Sequence, residues 1–323
     1  MPVLMPSSSD VHVNKMLTGV SVGYMNDTYI ADDIFPIVYV NKQTDIIPAL
    51  EKSHFFRDEA AMLGETGVAP FVGYDVDTSD TYHCVRYGAR HFISDDRRIN
   101  EDDPFDADRE ATMLVTDKLQ LRRERQFVTD FWSTGVWGTD KVGGTDFTKW
   151  SDAGSSSPIE DIRTYKRTIR RSISKDPNTL VLGDLVYDAL MEHPDIIGRI
   201  AVTQMGVANE DLLATLFGVE KILVGRSIYT SDNEGTSESS VTYSASWDDD
   251  ALLLYLPQRP SIWTPAAGYT FVWQTNIDGN TGPQWIRKYR DEERGGDVIE
   301  ARSYFDQKAL VTDAGLFLSD AAD

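Results

Sequence analysis

The amino-acid sequence predicts an α+β chain with long projecting parts, and three observations carry that expectation. Residues 104–134 form an apolar-periodic run with no glycine or second proline before Gly135, which predicts one long helix. Strand-like runs stand on both sides of it, at 82–87 and 90–94 ahead of it and from Thr179 onward behind it. Residues 1 to about 40 show no sustained period of either kind.

Those first 40 residues read as an extended arm. Tyr29-Ile30-Ala31-Asp32-Asp33-Ile34-Phe35-Pro36 leads into Ile37-Val38-Tyr39-Val40. Pro36 forbids a helix interior and favours an extended approach to a strand. Aromatic and aliphatic side chains from Tyr24 onward need a surface to cover, which argues against a merely flexible terminus. From about 41 to 97, one half carries Ile46-Ile47 and Phe55-Phe56, the other 82–87 and 90–94. Between them Gly64-Glu65-Thr66-Gly67-Val68-Ala69-Pro70 reads as a loop. The expected result is a projecting antiparallel hairpin, stable only against a neighbour.

Asp102 and Asp103 precede Pro104 as an acidic cap before a first-turn proline. Ala107, Ala111, Leu114, Leu121, Val128 and Trp132 recur at helical spacing as one apolar stripe. At about 1.5 Å per residue such a helix spans roughly 45 Å, the length of a spine. A linker rich in Gly, Ser and Asp follows over 142–158. A second amphipathic helix is expected over 159–174, with Ile162, Ile169 and Ile173 on one side. Arg163, Lys166, Arg167 and Arg170, with Arg171, make its basic side.

A compact α+β unit comes next. Thr179-Leu180-Val181-Leu182-Gly183 is a buried strand, 184–191 a helix ending near Pro194, and 211–217 a helix closed by Gly218. Strands at 221–225, 251–256 and 269–274 complete it, and strands at 297–305 and 309–311 return.

Composition narrows the function classes. About 41% of the 323 residues are apolar, enough for a buried core, and no window approaches the roughly 18 apolar residues that cross a bilayer. No basic segment followed by an apolar run opens the sequence, so no secretory signal is expected. Cys84 is the single cysteine, so no internal disulfide forms. The formal charge of −21 opposes nucleic-acid binding over most of the surface. It also makes copies repel at long range, so assembly requires short-range burial or charge pairing.

The segment order resembles the Hong Kong 97-type major capsid proteins of tailed bacterial viruses. Asp176-Pro177-Asn178-Thr179-Leu180-Val181-Leu182-Gly183, with a helix ending at His193-Pro194-Asp195, resembles the opening of that family's axial domain. Leu212-Leu213-Ala214-Thr215-Leu216-Phe217-Gly218-Val219 and Ile222-Leu223-Val224 resemble its helix-to-strand return. The stretch from Glu300 to Leu318, with Asp313-Ala314-Gly315, resembles its peripheral strand and terminus. The resemblance covers nearly the whole chain and is architectural, since the family has no short diagnostic motif. It implies an N-terminal arm over 1–40, an extended loop over 41–97 and a peripheral domain with the spine helix over 98–174. It further implies an axial domain over 175–285 and a returning strand with the peripheral C-terminus over 286–323. The implied subunit assembles with itself as hexamers and pentamers into an icosahedral head shell. That shell encloses double-stranded DNA without sequence-specific binding. A separate scaffolding protein, a portal and decoration proteins are the implied partners, with no membrane. The virion, assembled in host cytoplasm, is the implied location. Lys52 is available for covalent crosslinking, but no matching pattern accompanies it.

Catalytic readings fare poorly beside this. His83 and His91 are eight apart on an expected strand, and His12, His54 and His193 stand apart, too scattered for a usual zinc set. The pairs Asp32-Asp33, Asp95-Asp96 and Asp102-Asp103 sit at element boundaries, where aspartate caps helices and turns. Trp247-Asp248-Asp249-Asp250 lacks the alternating ligands of a calcium loop. No phosphate-binding glycine loop, nucleophile elbow or paired Cys-x-x-Cys is present. The expectation is therefore no enzyme, no catalytic residue, no cofactor and no metal. Arg163, Lys166, Arg167 and Arg170 are the candidate inter-subunit residues, and Trp285 with Arg287, Lys288 and Arg290 is a weaker basic stretch. The alternatives are an encapsulin-type nanocompartment shell, a metal-dependent hydrolase using the acidic clusters, and a β-rich surface-binding module.

Overall fold

The computed structural model describes residues 29–63, 65–100, 104–203, 209–233, 237–260, 264–274 and 284–323. The arm over 1–28, His12 and the Asp102-Asp103 cap lie outside the described residues. The chain passes through a one-turn helix, α1 (Ala31–Ile34), and past Pro36 into β1 (Ile37–Val40). A projecting loop follows, made of β2 (Thr44–Ile46), β3 (Ala49–Leu50), α2 (Lys52–Phe55), β4 (Val76–Asp77) and β5 (Thr81–His83). β6 (Val85–Ser94) and α3 (Asp95–Asn100) lead to the spine, α4 (Pro104–Phe131), and then β7 (Thr139–Val142). Next come α5 (Pro158–Ile173), β8 (Thr179–Gly183), α6 (Asp184–Glu192), α7 (Pro194–Thr203), α8 (Glu210–Phe217) and β9 (Lys221–Gly225). A small ladder of β10 (Ile228–Tyr229) and β11 (Ser244–Ala245) precedes β12 (Ala251–Leu254) and β13 (Gly268–Trp273). β14 (Trp285–Asp291), β15 (Gly296–Ala309) and β16 (Gly315–Ser319) close the order.

These strands build two five-stranded sheets. In the first, β15 is the trunk: β13 pairs with one end, β14 with the other, and β6 with most of its length. β1 joins β13 in parallel at the edge. The second sheet runs β7-β16-β12-β8-β9, and every residue of β8 and β12 is buried. Strands buried on both faces read as continuous apolar runs, which is the pattern of Leu180-Val181-Leu182 and Leu252-Leu253-Leu254.

The expected hairpin is shorter than 41–97. Its arms pair only through β2 with β5 and β3 with β4, while β6 hydrogen-bonds along its whole length to β15. The linker over 142–158 is no free linker. Phe147 and Trp150 are buried in the main core, and Trp150 donates its backbone N–H to Ala321 and its indole N–H to Asp161 (3.1 Å). Glycine and serine there turn the chain tightly enough for two aromatics to reach the same core. The stretch 315–323, which the resemblance gives to the peripheral part, lies in the second sheet: β16 pairs with β12 and β7, and Ala321 and Ala322 are fully buried.

The spine helix touches both sheets. Ala107, Ala111, Val115 and Leu119 pack with Ile93, Ile286, Ile299 and Ala301 of the first sheet. Phe127 and Phe131 sit in the main core with the second. The buried line therefore steps every four residues, whereas Leu114 is exposed and Leu121 and Val128 are half-buried. Four residues turn a helix by about 400°, so the line drifts about 40° per step and roughly 240° from Ala107 to Phe131. A single straight stripe was the wrong expectation because the helix faces different partners at its two ends.

Between those ends, Arg123 and Glu124 are buried. Glu124 accepts hydrogen bonds from the backbone N–H of Ile30 (3.1 Å) and Ala31 (2.8 Å), from the Trp247 indole (2.7 Å) and from the Ser227 hydroxyl (3.4 Å). Arg123 pairs with Asp32 (2.5 Å), donates to the Ser303 hydroxyl (3.2 Å) and stacks on Phe305. Burial pushes the Glu124 carboxyl up to about 7 against the pull of its backbone and indole donors, and the Asp32 carboxylate adds to the rise.

Two predictions follow from this packing. A β-carbon on Gly315 would stand 2.1 Å from the Trp137 ring, so Gly315→Ala should cost about 1–3 kcal/mol, read as a lower urea midpoint. For Glu124 the folded protein binds the proton more tightly than the unfolded chain, whose carboxyl titrates near 4.5. Its contribution is complete below pH 4.5 and is lost as pH rises to about 7, a change of order 3 kcal/mol. Urea midpoints across that window should vary less with pH in Glu124→Gln. Some dependence should persist, because burial also raises Asp250 to about 7.

Candidate intersubunit surfaces

The projecting loop is the least covered part of the described chain. Ile46, Phe55, Phe56, Met62, Leu63, Val68, Phe71, Val72, Tyr74 and Val76 are all exposed, ten large apolar side chains within residues 46–76. Met62 and Phe71 are as open as in an extended peptide, each at 103% of its reference area. Within the loop Phe55 and Tyr74 meet ring to ring, but its two ladders contain only three and two residue pairs, and Met62, Val68 and Phe71 stay open. Contiguous apolar exposure of this kind marks a surface that another molecule covers.

α5 supplies the second surface. Ser157 precedes Pro158 at the helix start, and Ile159, Ile162, Tyr165, Ile169 and Ile173 bury one face in the main core. The opposite face is basic and splits into two roles. Lys166 donates to the carbonyls of Phe217 (3.1 Å) and Gly218, capping the C-terminal end of α8, where a cation meets the negative end of the helix dipole. Burial holds the Lys166 ammonium below its ordinary value. Arg170 pairs with Asp176. Arg163, Arg167 and Arg171 are exposed and make no ion pair with another described residue. Two of the four candidate residues therefore serve the chain's own fold, and Arg163 and Arg167 point outward. The weaker basic stretch is neutralised internally: Arg287 pairs with Glu300, Lys288 with Asp108 (2.5 Å), and Arg290 with Asp95 through two 2.6 Å bonds.

The acidic clusters are spent on structure. Asp32 pairs with Arg123 and Asp33 with Lys221 (3.2 Å). In 247–250, Trp247 is wholly buried, Asp248 takes a left-handed turn (φ 46°), and Asp250 accepts the backbone N–H of Asp320 at 2.8 Å. Among the described residues, no group of three or more His, Cys, Asp or Glu side chains is placed to hold a metal ion. His193 is buried between the Ser156 hydroxyl (2.9 Å) and the Asp195 N–H (3.2 Å), and His83 bonds Thr44 (2.6 Å). Burial pushes the Cys84 thiol up to about 12, so it stays protonated and inert near neutrality. Sequence reasoning marked the loop, Val68 within it, but not Met62 or Phe71. The signal was their apolar character inside a Gly- and Pro-punctuated stretch.

Comparison with known proteins agrees with this architecture. Residues 139–267 match the family model described as phage major capsid protein E. The chain is 26% identical over 315 residues to a major capsid protein of Burkholderia phage BcepMu, covering 95% of this chain and 96% of that one. It is 23% identical to a major capsid protein of Pseudomonas phage JBD67, covering 98% and 99%. Among solved structures, a phage-related protein from Bordetella bronchiseptica RB50 superposes with a TM-score of 0.72 at 21% identity, covering 96% of this chain and 97% of that one. A family-model match over residues 139–267, likeness to two phage major capsid proteins along nearly the whole chain and a shared fold converge: this chain is similar to the major capsid proteins of tailed bacteriophages and has their α+β, Hong Kong 97-type fold.

Proposed function

We propose that this chain is the structural subunit of an icosahedral head shell, assembling with copies of itself as hexamers and pentamers around double-stranded DNA. The observation that carries the reading is the loop over 46–76, where Met62, Val68, Phe71 and Val72 are each more than 60% exposed. Burial against a sister subunit gives those side chains the surface they lack, and a shell supplies one at every position. Full-length likeness to phage capsid proteins favours a viral shell over a cellular nanocompartment.

In this reading the arm spans 1–40 and the extended loop 41–97, with its projecting portion ending near β5. The spine with β14 and β15, within 98–174 and 286–323, forms the peripheral domain, and 175–285 forms the axial domain; β1, β6 and β13 reach the first sheet from the arm, the loop and the axial segment. β7 and β16 pair with the axial strands. The subunit's role is structural, with no reaction or cofactor of its own. DNA is enclosed without sequence-specific contact, because a chain of formal charge −21 offers phosphates little general attraction. A separate scaffolding protein, a portal and decoration proteins complete the particle, which assembles in host cytoplasm and resides in the virion.

Electron microscopy of the purified full chain, alone and with a scaffold, tests the reading across ionic strengths. Closed shells are expected, and small discrete oligomers under every condition would refute it. Arg163→Glu with Arg167→Glu should cut particle yield at least tenfold while leaving the urea midpoint of the free subunit within about 0.5 kcal/mol of wild type, since both side chains are exposed. Normal particles from that double variant would remove α5 from the contact.

A further inference from the structure

α6 carries three carboxylates and no cation, with Asp184, Asp188 and Glu192 at four-residue steps along it. Such a step advances a helix by about 6 Å and turns it about 40° past one full turn, so the three form a gently twisting row about 12 Å long. Val186 and Leu190 bury the other side of the helix, so the row cannot turn inward. Asp188 and Glu192 are exposed, Asp184 is half-buried, and none of the three makes an ion pair with another described residue. Arg226, whose guanidinium stacks on Tyr187 of the same helix, pairs with Glu210 instead.

This arrangement is locally unfavourable. Like charges four residues apart on a helix repel, and α6 holds two such steps in succession. Glu192 also sits in the last turn, at the negative end of the helix dipole, and that turn contains no cation to offset it. α5 shows the same pattern with the opposite sign. Arg163, Arg167 and Arg171 repeat at the same four-residue step, all exposed and none in an ion pair with another described residue. Each helix therefore bears a row of repelling charges that its own chain leaves unrelieved, and the two rows are complementary in sign, number and spacing.

We propose that the carboxylate row of α6 in one copy seats against the arginine row of α5 in a second copy. The inference rests on the shell reading and names the partner of the outward arginines. With the helices antiparallel, Arg163 meets Glu192, Arg167 meets Asp188 and Arg171 meets Asp184, and the two helix dipoles oppose one another. Rows built on four-residue steps lie parallel when two helices cross at about −50°, the commonest packing class. Leu185, exposed beside the row, adds apolar cover. The two rows are different patches of one subunit, so the contact is heterologous, the geometry that closes rings. It also supplies attraction between copies of formal charge −21. At 0.15 M salt the Debye length is about 8 Å, so repulsion between distant charges is screened while charges in contact are screened far less.

Neutralising the acid row in the full chain separates this contact from general electrostatics. Asp188→Asn with Glu192→Gln makes the chain less negative, so net charge alone predicts readier assembly. The paired rows predict the reverse: particle yield should fall about tenfold, while the urea midpoint of the free subunit holds or rises as repulsion within α6 is relieved. A yield that stays level or rises would overturn the proposal and leave the shell reading intact. Charge exchange at the middle pair is the second arm. Arg167→Glu and Asp188→Arg should each lower the yield alone, and the two together should restore it. A loss from Arg167→Glu that Asp188→Arg does not recover would assign the arginine to another anion, such as DNA phosphate, and overturn the pairing. Wild type that forms no particles under any condition would remove the shell reading and this contact with it.

Discussion

A single helix has to bury itself against two sheets, and most of the architecture answers to that requirement. The first half of α4 packs Ala107, Ala111, Val115 and Leu119 on the first sheet, and the second half drives Phe127 and Phe131 into the core of the second. Small residues at the start let backbone and sheet approach closely, and aromatics at the end fill a thicker core. The change of face falls around Arg123 and Glu124, where an apolar side chain could serve neither partner fully. A buried carboxylate and a buried guanidinium are costly, and partners offset part of that cost, although the buried Arg123 Nε has no hydrogen-bond partner. Here Glu124 gathers α1, Ser227 and Trp247, and Arg123 gathers Asp32, Ser303 and Phe305. The junction thereby specifies how the chain start and both sheets are set on the spine.

The second theme is electrostatic economy. Most cations of an acidic chain are consumed internally: Lys166 caps a helix end, Arg290 and Lys288 neutralise carboxylates near the first sheet, and Lys149 engages Asp320 and Asp323. What stays outward on α5 is Arg163, Arg167 and Arg171. In a field that is negative almost everywhere, a few uncommitted arginines carry more information about orientation than they would on a balanced surface.

Much of this was legible in the residues. The β8 strand, α5, the α8 helix closed at Gly218 and the β9 strand stand where periodicity and breakers place them, because each encodes its own burial within a few residues. Gly218 adopts φ 63°, the left-handed cap that favours glycine. The failures share a cause, dependence on distant partners. β7 and β16 are strands only because they pair with each other and with β12, and Phe147 and Trp150 are core only because the chain turns back on them. The basic side of α5 was visible, yet nothing local separated Lys166, held by a helix end far along the chain, from Arg167, which meets solvent. A cavity of about 810 Å³ under the loop root was invisible altogether, since its walls come from the loop, from β13, from the end of α5 and from the stretch beyond β15.

The position of β16 bears on the order of events during synthesis. It lies between β7 and β12, although it is made after every other strand of its sheet. Until residues 315–319 have left the ribosome, β7 has no neighbour in that sheet and one edge of β12 stays open. The second sheet thus stays unfinished through nearly all of translation. A chain whose product is a closed container benefits from such a delay, because incomplete copies lack the rigid face that would let them be built into the wall.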